Sequence, residues 1–450
     1  LYLPKMVSGE WTGTMNLAEP QAGSDVGALR TRAVAESGHY RIKGQKIFIT
    51  YGEHDLTDNI IHMVLARTAN APAGSRGISL FIVPKILVDP DGSLKGRNDL
   101  RCVSLEHKLG IHASPTCVMS FGDDGGAIGY LVGEEGRGLS YMFTMMNNAR
   151  LSVGIQGLAI AERAYQQAAA FARTRVQSKD DGSPKPEPVS IIHHADIRRM
   201  LMTMRAQIEA MRALGYYTAA GIDGALKHPD REAARKTQDR VDLLIPIVKA
   251  WFTDLGNEIA SLGVQVHGGM GFIEETGAAQ HLRDARILPI YEGTNGIQAR
   301  DLVGRKIAKD GGEAMLALVA EMRALAGEMK AAPGDDLAAI RTSVLASAEA
   351  LEEATRWVAQ STKANLVKAL AGSVPFLRLA GTALGGWLLA RGALAAQTRL
   401  ATRDGDPAFL EAKLVTARFY AEVIVPPALA QLGPIKAVGH TVFALTEAQL

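Results

Sequence analysis

Glu292 lies in Tyr291-Glu292-Gly293-Thr294-Asn295-Gly296, a setting in which a carboxylate can act as a general base toward a bound ligand. The Gly-rich stretch Gln265-Val266-His267-Gly268-Gly269-Met270-Gly271-Phe272 precedes it. Glycines remove side-chain bulk, so backbone N–H groups can line the same pocket as the acid. Taken alone, Glu-Gly-Thr describes an ordinary surface turn, because Gly and Asn favour turn geometry. His193-His194 makes a poor metal pair, since adjacent residues on a helix do not share a face. Only Cys102 and Cys117 occur, which argues against a cysteine zinc site or a disulfide scaffold and favours a reducing, cytoplasmic compartment.

The elements that must position these residues fall into three regions. The chain has 450 residues and is 47% hydrophobic, enough for two or three domains with sizeable cores. Its net charge of +2, with no long Lys/Arg run, gives no nucleic-acid groove and points to small-molecule chemistry. From about Trp11 to Gly125 the pattern is β-rich: Tyr40 to Thr50 alternates, and Gly77 to Pro84 reads as a strand, as in a small antiparallel sheet or barrel. After Gly138 the period becomes helical, with Leu158, Ala161, Tyr165, Ala168 and Ala172 on one face. Further helices are expected over roughly His194 to Gly221, Arg231 to Val266 and Gly277 to Arg286. The polar segment Ser178 to Pro188, with Pro184, Pro186 and Pro188, reads as a loop. From Gly311, Met315, Leu318, Met322, Leu325 and Met329 keep a 3-4 spacing that marks an apolar seam. The most apolar stretch, Leu379 to Ala390, is shorter than the roughly 20 residues that span a membrane and reads as a buried or interfacial helix. No charged n-region and apolar core open the chain, and residue 1 is Leu, so the sequence is expected to begin inside a longer protein.

Several segments, in order, resemble the acyl-CoA dehydrogenases. Asn16-Leu17-Ala18-Glu19-Pro20-Gln21-Ala22-Gly23-Ser24-Asp25 is similar to that family's Thr-Glu-Pro-x-Ala-Gly-Ser-Asp, and Lys46-Ile47-Phe48-Ile49-Thr50 to its Lys-x-Trp-Ile-Thr strand. Lys108 to Thr116 resembles its Met-Gly-x-x-x-Ser-x-Thr segment, and Asn147 to Arg150 the Arg-bearing start of a helix. The Gly-rich stretch and Tyr-Glu-Gly-Thr complete the series, which covers about residues 1 to 310. The remainder, to Leu450, resembles longer members, particularly bacterial 3-methylmercaptopropionyl-CoA dehydrogenases. The resemblance implies an α+β fold: a β-rich middle domain over 1–137, a four-helix-bundle domain over 138–310 and a helical extension over 311–450. FAD would lie between the first two. Set against that family, the sequence is expected to start after its N-terminal helical domain.

The same resemblance assigns roles. Glu292 matches the base that removes the α proton of an acyl-CoA while a β hydride goes to the flavin. Thr50 matches the residue near flavin N5, and Phe48 stands where the family has a tryptophan beside the ring. Ala18 replaces a frequent threonine, so with Leu17 it is expected to offer backbone contacts. Ser24 matches a residue at the flavin and CoA phosphates. Gln265, Gly268 and Gly269 match the stretch that serves the adenine-side phosphate and ribose of a neighbouring subunit's flavin, and Arg175 aligns loosely with a pyrophosphate-binding arginine. His194 stands near the position of a family glutamine. Thr294 is expected on the cofactor side of the base, and Gly293, Ser114 and Arg150 on the substrate side. No metal is implied. The expected partners are an acyl-CoA, an electron-transfer flavoprotein and further copies of the chain in a homodimer or homotetramer, with no nucleic acid and no membrane span. Substrate resemblance leans toward 3-(methylthio)propanoyl-CoA. An acyl-CoA oxidase and a non-catalytic assembly subunit are the competing possibilities.

Overall fold

Alternating residues in the first third of the chain form strands, and the apolar runs become the central ones. The computed structural model describes residues 1–450 apart from Asp181, Ser183, Lys185 and Pro186. The chain divides into two units, Leu1–Asn148 and Ala149–Leu450.

The first unit opens with a short helix, α1 (Leu3–Ser8), followed by β1 (Thr12–Asn16), β2 (Arg32–Glu36), β3 (His39–Thr50), β4 (Ile60–Ala66), β5 (Ser79–Pro84), β6 (Ile86–Val88), β7 (Leu94–Arg97), β8 (Leu100–Leu105), β9 (Thr116–Phe121) and β10 (Ala127–Leu131). The main sheet runs β1-β4-β5-β10-β3-β9-β8, with β2 on β3, while β6 and β7 pair separately. β4 and β5 are buried on both faces, as their near-continuous apolar sequences require. Val64, Phe81 and Val83 join a core with Ile42, Ile49, Met119 and Phe121. Leu65, Ile78 and Leu80 enter a second core with Ala22, Leu29 and Met142. The sheet departs from the antiparallel expectation at one pair: β1 and β4 run parallel, Thr12 opposite Ile60. The sequence between them spans two other strands, so their alternation alone gave no direction.

In the second unit, from Ala149 on, α2 (Gly138–Thr174), α3 (Ala195–Lys227), α4 (Arg231–His267) and α5 (Ala278–Ala285) form the expected helices. Leu158, Ala161, Ala168 and Ala172 are buried in the common core, with Tyr165 packed against it. A Cβ on Gly157 would lie 2.7 Å from Phe252 O, and one on Gly256 2.9 Å from Gly157 O, so glycine on both helices permits backbone contact between α2 and α4. The segment read as a loop is a hairpin at its ends: β11 (Val176–Lys179) pairs with β12 (Pro188–Ser190). Pro188 opens a short edge strand, where proline is tolerated; Pro186 lies outside the described residues.

After the Glu292 segment come α6 (Asn295–Asp301), a π-helical stretch Leu302–Ile307, α7 (Ala308–Asp310), α8 (Glu313–Met329), α9 (Asp335–Ala364), α10 (Leu366–Ala371), α11 (Ser373–Ala401), α12 (Pro407–Phe419), α13 (Val425–Leu429) and α14 (Leu432–Thr441). Met315, Leu318, Met322, Leu325 and Met329 are all buried along α8. The apolar stretch Leu379 to Ala390 belongs to a helix of 29 residues, longer than its composition suggested, because Ala and Thr beyond Arg391 continue it. By length and apolarity α11 is the one helix among the described residues that could cross a membrane, and 72% of its apolar window is buried inside the protein. It packs against α3, α4, α9 and α12. A Cβ on Gly381 would come within 2.5 Å of the Trp251 ring on α4.

Candidate active site

Glu292 is set on a turn whose backbone the local sequence makes possible. Its φ is +54° and that of Gly293 is +84°, two consecutive left-handed residues, of which glycine adopts the conformation without penalty. Thr294 closes the turn as the N-cap of α6, its hydroxyl accepting from Ile297 N at 3.3 Å. The Gln298 side-chain amide donates to Gly293 O at 3.3 Å. Glu292 itself is half-buried, and among the described residues its carboxylate has no hydrogen bond. Its N–H is likewise without a backbone partner. Burial raises the carboxyl above its ordinary proton affinity, and Lys249 and Arg150 draw it partly back.

Two buried cations therefore accompany the acid. Arg150, on α2, is almost fully buried, with Nη1 3.5 Å from Asp301 Oδ2 and no partner for Nε among the described residues. Burial lowers its affinity for its proton, Asp301 restores part of it, Arg305 opposes that, and Glu292 adds to it. Lys249 was not singled out from the sequence. It has no exposed surface and donates from Nζ to Leu288 O at 2.9 Å, Gly293 O at 2.8 Å and Asn295 Oδ1 at 2.9 Å. A signal was available: Lys249 is the one charged residue in Leu243 to Phe252, a run that is buried throughout. Next to Glu292, the Tyr291 hydroxyl donates to the Gln156 side chain on α2, and burial pushes the phenol up to about 12.

The Gly-rich residues occupy the other end of the same helices. Gln265, Gly268 and Gly269 are exposed where α4 ends, and the His267 ring lies tilted against Phe171 near the end of α2, with ring centres 4.5 Å apart. Arg175 follows α2, and among the described residues its side chain reaches only Gln177, at 3.4 Å. At about 1.5 Å per residue, the 18 residues from Lys249 to His267 separate this group from Glu292 by roughly 27 Å. His194 is occupied locally, its Nε2 2.7 Å from Gln177 O on the hairpin.

In the first unit, Leu17, Ala18 and Ser114 gather with Phe48 and Thr50 around the end of β3. Ile47 N donates to Ala18 O at 3.0 Å, and the buried Lys46 ammonium to Leu17 O at 3.0 Å and Glu19 Oε1 at 2.8 Å. Leu17 and Ala18 are thereby held beside Phe48 and Thr50. Thr50 pairs with Thr116 on β9, and Tyr51 N donates to Pro115 O at 2.9 Å, which brings Ser114 to the same edge. Phe48 and Tyr51, on either side of Thr50, have φ of +61° and +51°, and the β3–β9 register shifts between Lys46 and Ile49. Positive φ is rare for aromatic residues and concentrates where a ligand dictates side-chain direction. The outcome is an apolar surface turned to solvent: Phe48 is 62% exposed, with Leu105 and Leu109 similarly bare. The Thr50 hydroxyl has no partner among the described residues, and Ser24 is exposed on its loop.

Comparison with known proteins decides the family. Residues 14–123 match the acyl-CoA dehydrogenase middle domain, 136–308 the acyl-CoA dehydrogenase C-terminal domain, and 318–446 an acetyl-CoA dehydrogenase C-terminal-like domain. A 3-methylmercaptopropionyl-CoA dehydrogenase of Ruegeria pomeroyi is 49% identical over 98% of this chain and 74% of its own length. The chain belongs to the acyl-CoA dehydrogenase family. A broad-specificity linear acyl-CoA dehydrogenase of Mycobacterium tuberculosis is 38% identical over 97% of this chain and 74% of its own. Among solved structures, an acyl-CoA dehydrogenase of Bacillus anthracis complexed with FAD shares the fold with a TM-score of 0.75 at 24% identity, covering 97% of this chain and 70% of that one. Caenorhabditis elegans ACDH-11 in complex with C11-CoA does so with 0.74 at 22%, over 91% of this chain and 64% of that one.

Acyl-CoA dehydrogenases are flavin-dependent oxidoreductases, and FAD is their cofactor. The residues of this acyl-CoA dehydrogenase fit that group on two observations, one within each unit. The exposed Phe48 wall beside an unpartnered Thr50 hydroxyl suits a flat, mainly apolar ring with a polar edge. Cβ positions built on Gly268 and Gly269 meet no atom within 4 Å, leaving backbone open to a close-approaching phosphate.

Proposed function

We propose that this chain oxidises 3-(methylthio)propanoyl-CoA to its 2-enoyl-CoA, with Glu292 as the base. The observation that carries this is the Glu292 carboxylate, half-buried on a left-handed turn, free of hydrogen bonds and raised in proton affinity by its surroundings. A carboxylate solvated by water is too weak to remove an α proton, and desolvation brings it closer to the task. The adjacent unpartnered Glu292 N–H is available to the thioester carbonyl oxygen, where negative charge develops as the proton leaves. Bound FAD supplies the two-electron acceptor for the β hydride.

The other assignments belong to the same proposal. Gly293 keeps bulk away from the substrate side, and Arg150 presents its unpaired Nε there. Leu17, Ala18, Ser24, Phe48, Thr50 and Thr294 are cofactor contacts, and Ser114 is a substrate contact. Arg175, Gln265, Gly268 and Gly269 serve the cofactor of a second copy, which for the last three is supported by their distance along α4 from the Lys249 end that carries the Glu292 turn. A homodimer or homotetramer, electron transfer to an electron-transfer flavoprotein, a cytoplasmic location and the division at 137 and 310 complete the proposal. The substrate choice is supported by the 49% identity to the Ruegeria pomeroyi enzyme, against 38% to the broad-specificity one.

Flavin absorbance is the test. Glu292→Gln should retain FAD and bind acyl-CoA but lose flavin bleaching by at least a thousandfold, because an amide cannot accept the α proton. Bleaching at the native rate would move the base elsewhere. With the native protein, 3-(methylthio)propanoyl-CoA should bleach at a higher kcat/KM than butanoyl- or octanoyl-CoA; the reverse order would remove the substrate assignment.

A further inference from the structure

A lysine in the middle of a buried apolar run needs a reason, since a leucine or methionine would fill the same space without the desolvation of a charge. All three acceptors of Lys249 belong to the segment that presents Glu292: Leu288 before it, Gly293 directly after it and Asn295 at the start of α6. Each is a neutral oxygen. Asn295 can take only one orientation between its neighbours. Its Nδ2, with two hydrogens, lies among three acceptors, Asp254 Oδ1 at 2.7 Å, Thr253 Oγ1 at 2.9 Å and Ala250 O at 3.0 Å, so Oδ1 faces the ammonium, with Thr253 Oγ1 at 3.3 Å beside it. One turn and a half of α4 thus grips both ends of the Glu292 turn through a lysine and an amide. Burial pushes Lys249 down to about 8, with Asp254 and Glu292 drawing it back up and Arg150 opposing them.

We propose that Lys249 is a positioning residue for the base: its ammonium clamps the left-handed Glu292–Gly293 turn from α4 and holds a positive charge beside the Glu292 carboxylate. This rests on Glu292 being the base. The clamp explains how a non-glycine residue keeps φ of +54° in a segment that must also receive substrate, because the carbonyl next to it is tied to a rigid helix. The charged groups around Lys249 are Asp254 on α4, Glu292 on the turn and Arg150 on α2, so its removal leaves Arg150 as the one cation acting on Glu292.

The test compares Lys249→Met and Lys249→Arg with the native holoenzyme. One readout needs no turnover: the carboxyl infrared band of Glu292, isolated as the difference from Glu292→Gln, titrated in the absence of substrate. Its midpoint should rise by at least one pH unit in Lys249→Met and by less than half a unit in Lys249→Arg. In steady state, kcat of Lys249→Met should fall at least a hundredfold while KM changes less than threefold, and Lys249→Arg should recover at least tenfold of that loss. Folded, FAD-loaded Lys249→Met with kcat within threefold of native and an unmoved midpoint would overturn the proposal. If Lys249→Met does not fold, Asp254→Ala decides, because it removes the nearest acceptor that orients the Asn295 amide: a three- to tenfold fall in kcat supports the clamp, and none removes it. Bleaching by Glu292→Gln would instead bring down the base assignment itself, so the two failures are distinguishable.

Discussion

Glu19→Gln would leave the Lys46 ammonium, whose side chain has no exposure, facing an amide in place of a carboxylate. The native carboxylate accepts from Lys46 Nζ at 2.8 Å, Thr31 Oγ1 at 2.6 Å, Thr31 N at 3.1 Å, Arg30 N at 2.6 Å and Gln21 Nε2 at 2.7 Å. Burial raises Glu19, but Lys46, Thr31 and Arg30 more than reverse it and hold the carboxyl at about 2, from 4.5. That shift favours folding by about 3 kcal/mol at neutral pH. Lys46 is pushed down by burial to about 8, from 10.5, despite Glu19, which opposes folding by about 3 kcal/mol. Each charge is thus held in the interior by the other, and either one alone is costly. Glu19→Gln and Lys46→Met should each destabilise by about 3 to 5 kcal/mol, and the double variant by much less than their sum. Urea denaturation at pH 7, followed by the fluorescence of Trp11, which is buried in the same unit, measures this cycle. The sign with pH is fixed: a depressed carboxyl contributes above about 4.5, and its contribution is lost as pH falls toward about 2, so Glu19→Gln should lack that part of the acid limb. A loss below 1 kcal/mol in Glu19→Gln at pH 7, or strict additivity in the double variant, would refute the reasoning. The double variant should also release Leu17 O, so it is expected to be stable yet to bind FAD more weakly.

Two further outcomes are expected beside those given for Glu292 and Lys249. Gly157→Ala places a Cβ 2.7 Å from Phe252 O and should destabilise by about 1 to 3 kcal/mol in chemical denaturation, because the obstacle is backbone and the helices must separate. His62, fully buried against Thr14 and Phe121, is pushed by burial down to about 3 from 6.5. A depressed imidazole is neutral in the fold and charged in the unfolded chain, so stability should decline as pH falls from about 6.5 toward 3, and His62→Gln should flatten that slope in urea titrations between pH 4 and 7.

The chemistry was legible in the sequence where it rests on residue type and order, and illegible where it rests on backbone shape or burial. Glu292 and its neighbours carry their turn in the Gly-Thr-Asn that follows, and the seam of α8 follows from its spacing. Phe48 at positive φ could not be read, because the bulge that turns it depends on β9, nearly 70 residues away in sequence. Lys249 was passed over because charge on a helix ordinarily faces water, and only the apolar residues on every side of it mark the exception. The hairpin at Val176–Lys179 was hidden by prolines that suit a loop equally well. Parallel pairing of β1 with β4 is a long-range event with no local signature.

The contact between Trp251 and Gly381 bears on how separable the parts of this protein are. Trp251 lies two residues after Lys249 and three before Asp254, on the helix that steadies the base, and the surface it rests on is supplied by α11, well past the last catalytic motif. A gene cut near residue 310 follows a boundary in sequence similarity but would bare an indole and much of α11's binding face on the working helix. Chimeras that exchange extensions between family members inherit the same constraint: whatever stands opposite Trp251 must be as small as glycine, or the tryptophan must change with it.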